Sequence, residues 1–242
     1  MTWDASARVN NLFAASARDC TPAPARHIAR VLFAPVSHDL EAVSCCASVL
    51  SDAEKRRAQS LLGEDGKAHF KQQRAFRRYC GAVAVDLALP LSRIAFEATE
   101  KGCPYLPELR GCWFSFSSCR LGYLGAWSST QPIGVDIEDP TRHLEVTELA
   151  QAYFSRAEAK AVEVCGERTR MRTFFQLWTL KEAALKSIGE GLPFSLDAFQ
   201  FELGPSIRIV DAPRAYGGPE QFCAYAIDTA GSCAALAIRR NG

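Results

Sequence analysis

Ile133-Gly134-Val135-Asp136-Ile137-Glu138 alternates apolar residues with glycine and two acids. A period of two is that of a β-strand, in which successive side chains point to opposite faces. Ile133, Val135 and Ile137 would form one apolar face, leaving Gly134, Asp136 and Glu138 on the other. Residues two apart on a strand stand roughly 6–7 Å apart, so both carboxylates could approach one cation or its bound waters. Further along, Trp178-Thr179-Leu180-Lys181-Glu182-Ala183-Ala184-Leu185-Lys186 follows the 3.6-residue period of a helix. Met171, Phe174, Phe175, Trp178 and Leu185 fall on one stripe, and Glu182 lies within it. A carboxylate on the packing side of a helix needs a partner. A metal ion held jointly with the strand acids would be one.

The chain has 242 residues, 48% of them hydrophobic, enough for one large domain or two small ones. A net charge of +1 argues against a dedicated nucleic-acid binder. No apolar run approaches the roughly 20 residues that cross a bilayer. The N-terminus lacks a basic stretch followed by an apolar one, so a cytoplasmic protein is expected. The ten cysteines form no Cys-x-x-Cys pair and the four histidines are isolated, which predicts reduced thiols packed as small hydrophobes. Nucleophile-elbow, P-loop and dinucleotide signatures are missing.

Residues 1–26, ending in Thr21-Pro22-Ala23-Pro24-Ala25, read as a loosely ordered extension, and Ile28 to Val36 as the first strand. Thereafter the chain echoes itself. Ser51-Asp52-Ala53-Glu54 recurs as Ser155-Arg156-Ala157-Glu158 (155 − 51 = 104), and Ile94-Ala95-Phe96-Glu97 resembles Phe199-Gln200-Phe201-Glu202 (199 − 94 = 105). A long helical pattern lies between each pair of markers. Short β-like runs follow, at 113–116 and 123–127 and again at 221–227 and 234–238. The expectation is an α+β fold of two halves, 27–140 and 141–242, each with helices packed on a small antiparallel sheet. A site would then lie at the seam between them.

Plainer readings compete at each position. Asp136 and Glu138 run into Asp139-Pro140, ordinary turn chemistry. Glu182 and Lys186 form an i,i+4 pair worth a few tenths of a kcal/mol. A hard dication such as Mg²⁺, however, takes a few carboxylates with waters and phosphate oxygens, and three acids with two lysines suit a phosphate ester or anhydride. Residues 54–78 carry eight basic residues against three acidic ones, 8 − 3 = +5, so positive charge is concentrated there. Arg74, Arg77 and Arg78 share the spacing of one helix face, and arginines so grouped grip phosphates bidentately. A solvated face is the alternative.

Gly-x-Asp-x-Glu followed by Trp-x-x-Lys-Glu-Ala-x-x-x-Lys closely resembles the Sfp-type 4′-phosphopantetheinyl transferases. The order of Gly102-Cys103-Pro104-Tyr105-Leu106, Phe114-Ser115-Phe116-Ser117, Gln131-Pro132-Ile133 and Tyr153-Phe154-Ser155 is similar too. The resemblance runs from about residue 28 to the C-terminus. It implies a pseudosymmetric monomer that transfers the phosphopantetheine arm of coenzyme A to a serine of an apo acyl or peptidyl carrier protein, with Mg²⁺, releasing 3′,5′-ADP. Asp136, Glu138 and Glu182 are the implied metal ligands, and Glu182 the implied base. Lys186 and Lys181 would contact the phosphates. Lys55, Arg74, Ser117 and Ser118 fall where the family contacts the coenzyme.

Two departures stand out. Cys103 takes the place of a lysine in Gly-Lys-Pro, and Ser118 that of a histidine that meets the 3′-phosphate. Replacing a charge-assisted hydrogen bond by a neutral one costs about 1 kcal/mol, which predicts altered coenzyme recognition with the acids intact. The same losses motivate two rivals: a non-catalytic module binding a carrier protein or coenzyme A, and an enzyme using another pyrophosphate donor.

Overall fold

A computed structural model describes residues 2–85, 89–189, 195–229 and 231–240. The first half runs α1 (Thr2–Ser16), β1 (Arg18–Asp19), β2 (Arg30–Pro35), α2 (Leu40–Ser48), α3 (Asp52–Gln59), α4 (Glu64–Val85), β3 (Glu97–Ala98), β4 (Pro104–Tyr105), β5 (Trp113–Cys119) and β6 (Gly122–Ser128). Next comes β7 (Ile133–Glu138), followed by α5 (Val146–Tyr153), α6 (Arg156–Val164), α7 (Glu167–Ile188), β8 (Gln200–Glu202), β9 (Arg208–Asp211), β10 (Phe222–Ala226) and β11 (Cys233–Arg239). The fold is α+β with small antiparallel sheets, one ordered β1-β2-β6-β5 and another β10-β11-β7.

Strand alternation sorts the core into three layers. Leu32 and Ala34 of β2, with Tyr123 and Trp127 of β6, face the helices of the first half, where Phe76 and Cys80 of α4 meet them. On the opposite face Val31, Phe33, Leu124 and Ala126 pack against Ile133, Val135, Ile137, Leu236 and Ile238. The two sheets therefore share an apolar layer, and the apolar face expected of β7 is spent on it. Beneath α7 lie Ala235 and Ala237 of β11, with Phe174, Phe175, Leu180 and Ala183 of the helix above them.

Two expectations change. The segment 1–26 contains α1, whose Val9 and Phe13 are buried and whose Phe13 ring meets Phe76 at 5.4 Å. Apolar residues at i and i+4 give this helix a face to bury, so it is part of the first-half core. The strand 133–138 lies before the expected boundary at 140, yet its register, Ile133↔Ile238 through Glu138↔Cys233, puts it in the second sheet. The first half contributes a side-chain seam instead: the Val135 amide donates to Ser115 Oγ of β5 at 3.0 Å.

The close approach of α7 to β7 is made possible by Gly134. A Cβ there would run into the Ala183 carbonyl oxygen and stand 2.6 Å from the Ser187 nitrogen and 2.8 Å from Lys186 Cβ. Two of these atoms are helix backbone, which cannot step aside as a side chain can. Gly134→Val should therefore lower stability by at least ~3 kcal/mol, roughly 6–12 °C in thermal midpoint for a chain of this size. A midpoint like that of the parent protein would show that helix and strand are not in backbone contact.

Candidate active site

Strand β7 and helix α7 bring the predicted acids to one place. Asp136 is 5% exposed although charged. Its Oδ1 accepts from Lys186 Nζ at 2.6 Å and from Ser117 Oγ of β5 at 2.8 Å, whereas its Oδ2 is buried with no hydrogen-bond partner. Lys186 Nζ also donates to the Val135 carbonyl at 3.2 Å. Glu138 Oε2 is held by Arg142 at 3.0 Å.

Burial raises the pKa of Glu182, and the charges of Asp136 and Glu138 push it the same way against Lys186. Glu138 is likewise raised by burial and by Asp136, with Arg142 and Lys186 opposing. The three acids thus share one electrostatic neighbourhood with two cations. Among the described residues no group of three His, Cys, Asp or Glu side chains stands as a ready-made metal cage. Asp136 Oδ1 is turned to Lys186 and Glu138 Oε2 to Arg142, which leaves Asp136 Oδ2 as the unclaimed buried oxygen.

A cleft of about 950 Å³ opens between the halves. Lys186 lines it from the acid side, Arg74 and Arg77 from α4, and Phe116 and Tyr105 among the aromatic residues of its wall. Arg77 lies over the Phe116 ring at 5.1 Å, and burial brings its pKa down to about 10. The sequence reading grouped Arg77 with its neighbours without singling it out. Its signal was three arginines on one helix, which the fold sends to different places. Arg78 turns inward to Glu54, while Arg74, 3.8 Å from the same glutamate, lies over the Phe70 ring and lines the cleft.

Other expected contacts are not brought in. Lys55 pairs with Asp52 and lines a separate cavity of about 420 Å³ with Lys67 and Lys71. Ser118 points away from the acids, because it alternates with Ser117 on β5. Its Oγ accepts from Gln73 Nε2 at 2.7 Å and lies 3.2 Å from His69 Nε2, with burial lowering the pKa of that imidazole. Cys103 lines the cleft and packs its sulfur on Gly189, just past the end of α7.

Lys181, expected at the phosphates, is fully buried. It pairs with Glu158 at 2.9 Å and donates to the carbonyls of Leu196 and Phe199. One helix position before Glu182 it faces the core, so it cannot reach the cleft. Glu158 in turn closes a capping box with Ser155 and accepts from the Phe201 amide at 2.8 Å. The first half has the same device: Glu54 closes a capping box with Ser51 and pairs with Arg78 at 2.6 Å.

Three 4′-phosphopantetheinyl transferases are similar to this chain in sequence. The 4′-phosphopantetheinyl transferase Sfp of Bacillus subtilis is 30% identical over 164 residues, 64% of this chain and 72% of the relative. The chain belongs to the 4′-phosphopantetheinyl transferase superfamily. The family model for that superfamily matches residues 132–230, a span that holds both β7 and α7. The transferase ffp of Bacillus subtilis is 29% identical, covering 66% of this chain and 75% of its own. HetI of Nostoc sp., also a 4′-phosphopantetheinyl transferase, is 28% identical with coverage of 66% and 68%. The enzyme class is 4′-phosphopantetheinyl transferase, and no helix among the described residues is long and apolar enough to cross a membrane.

The position of Lys181 carries a prediction that separates clamp from ligand. Lys181→Met leaves Glu158 charged and buried, and should cost about 3–5 kcal/mol. Adding Glu158→Gln to it should recover part of that loss in urea unfolding. A Lys181→Met protein of parental stability but weakened coenzyme A binding would make the lysine a ligand after all.

Proposed function

We propose that the seam between β7 and α7 transfers the 4′-phosphopantetheine arm of coenzyme A to the serine hydroxyl of an apo acyl or peptidyl carrier protein, with Mg²⁺, releasing 3′,5′-ADP. The observation that supports this reading is that Lys186, which lines a cleft large enough for a nucleotide, is bonded to Asp136, and that Asp136 and Glu138 act electrostatically on Glu182. Serine oxygen attacks the β-phosphorus of the donor, the bond to the α-phosphate oxygen breaks, and the serine proton is taken by Glu182. A carboxylate whose pKa is raised toward neutrality is a better base than a solvated one. Lys186, bonded to Asp136 and lining the cleft, offsets charge gathering on the leaving 5′-phosphate of 3′,5′-ADP. Arg74 and Arg77 are suited to the nucleotide phosphates, Arg77 with its guanidinium braced on Phe116. Ser117 holds Asp136 in place.

The donor set fits a hard dication: all three candidates are carboxylates, and Asp136 Oδ2 is a buried oxygen in want of a partner. Asp136, Glu138 and Glu182 would hold Mg²⁺, which when bound supplies Lewis acidity to a donor phosphate oxygen. We also read the chain as a monomer of duplicated halves. Support comes from the matching strand order β2-β6-β5 and β7-β11-β10 and from the two capping-box ion pairs (158 − 54 = 104; 181 − 78 = 103). A cytoplasmic location agrees with ten free cysteines.

Purified protein incubated with coenzyme A, Mg²⁺ and several apo carriers should raise carrier mass by one phosphopantetheine. Absence of any gain, with a working transferase in parallel, would leave the non-catalytic module as the better account. Glu182→Gln should reduce transfer at least ~100-fold without loss of thermal stability, because it removes a desolvated charge facing two others. Full activity in that variant would exclude Glu182 as the base. The raised carboxylates also set a pH sign. Glu182 and Glu138 take up protons above the 4.5 of a solvated glutamate, so transfer should fall on acidification with a midpoint above that value. The same protonation relieves repulsion: the contribution of these groups to metal-free stability is present at low pH and declines as pH rises through their raised pKa values.

A further inference from the structure

Arg142 occupies an oxygen that the proposed chemistry needs. Its Nη1 lies 3.0 Å from Glu138 Oε2, and the arginine side chain is 49% exposed against 22% for the glutamate. The cation therefore approaches from the solvent side and covers a largely buried acid. The turn that carries it is pinned independently of that contact. Asp139 Oδ1 accepts from the amide and hydroxyl of Thr141 at 2.9 and 2.8 Å, and Arg120 pairs with Asp139 Oδ2. The arginine side chain can leave Glu138 while the backbone up to Thr141 stays where it is.

Lys186 is tied differently. It grips both Asp136 Oδ1 and the Val135 carbonyl from the helix face that packs on β7, its side chain 32% exposed at the cleft. Of the two cations that oppose the acids, one is built into the helix–strand contact and the other hangs on an exposed turn.

We propose that Arg142 is a tethered counter-ion of the acid cluster: it holds Glu138 in the metal-free enzyme and is displaced when a divalent cation binds, so that it sets the cation affinity of the site. This rests on the reading of Asp136, Glu138 and Glu182 as the cation site. Without a positive charge near Glu138, Lys186 would be left to offset the negative charge of the cluster, in which Asp136 pushes the pKa of both Glu138 and Glu182 upward. A dication replaces Arg142 with a larger charge in the same place. The ion pair is partly exposed and thus weak, which suits a contact that has to be exchanged.

The test titrates Mn²⁺, a paramagnetic stand-in for Mg²⁺, into the full chain and follows water-proton relaxation. Arg142→Gln should bind Mn²⁺ about three- to tenfold more tightly than the parent, with Arg142→Lys close to the parent because it keeps the charge. Melting adds a second readout: without cation Arg142→Gln should unfold at a lower temperature than the parent, and Mg²⁺ should raise its midpoint by more. Equal or weaker Mn²⁺ binding by Arg142→Gln overturns the proposal, as does absence of binding in all three proteins. Carrier labelling is scored apart. Tighter Mn²⁺ binding by Arg142→Gln with no carrier labelled by the parent keeps the counter-ion and removes the reaction. Labelling by the parent with unchanged Mn²⁺ affinity in Arg142→Gln does the reverse.

Discussion

The backbone contact between α7 and β7 at Gly134 is the constraint from which the site follows. Small residues line it on both sides: Gly134, Ala235 and Ala237 on the sheet, Ala183 and Ser187 on the helix. Only at that separation can Lys186 Nζ reach both Asp136 Oδ1 and the Val135 carbonyl. A larger residue at 134 would lift the helix and leave Asp136 buried without its cation, which is costly. Packing and electrostatics are therefore one problem here, since the glycine that admits the helix also admits the charge that the strand acid requires.

The second organising element is the junction of two edge strands. β5 closes one sheet and β7 the other, and they are joined through serines in place of a backbone ladder: Ser115 accepts from the Val135 amide and Ser117 donates to Asp136. The cleft opens beside this junction, with Lys186 on one side and the arginines of α4 on the other. Cations buried elsewhere have a different task. Arg78 and Lys181 each meet the glutamate of a capping box and so tie a short helix to the long one in their own half.

Much of this was legible in the sequence because it rests on short periods. The alternation in 133–138 and the stripe through Phe174, Phe175 and Leu185 read directly as strand and buried helix face, and both are found. Strands near 113–119, 122–128, 222–226 and 233–239 fall close to where β-like runs were marked. The helix in 2–16 was missed: its neighbouring Pro-Ala-Pro suggested a loose chain, and the burial of Phe13 depends on α4, distant in sequence. Lys181 was misread because a motif gives residue type and spacing without the helix face. A shift of one position turns a side chain by about 100°, enough to separate Lys181 in the core from Glu182 at the seam.

By itself the sequence determined the alternation of β7, the apolar stripe of α7, the approximate places of the strands at 113–128 and 222–239, and that two carboxylates and a helical Glu–Lys pair recur in a family pattern. Tertiary structure alone decided that β7 joins the second sheet, that Arg77 faces the cleft while Arg78 does not, and that Lys186 meets Asp136 and Lys181 meets Glu158. The physical reason is the range of the forces involved. Periodicity is set by local backbone geometry, whereas sheet membership and charge pairing depend on which distant segments approach within a few ångströms, and no short window of sequence contains both partners.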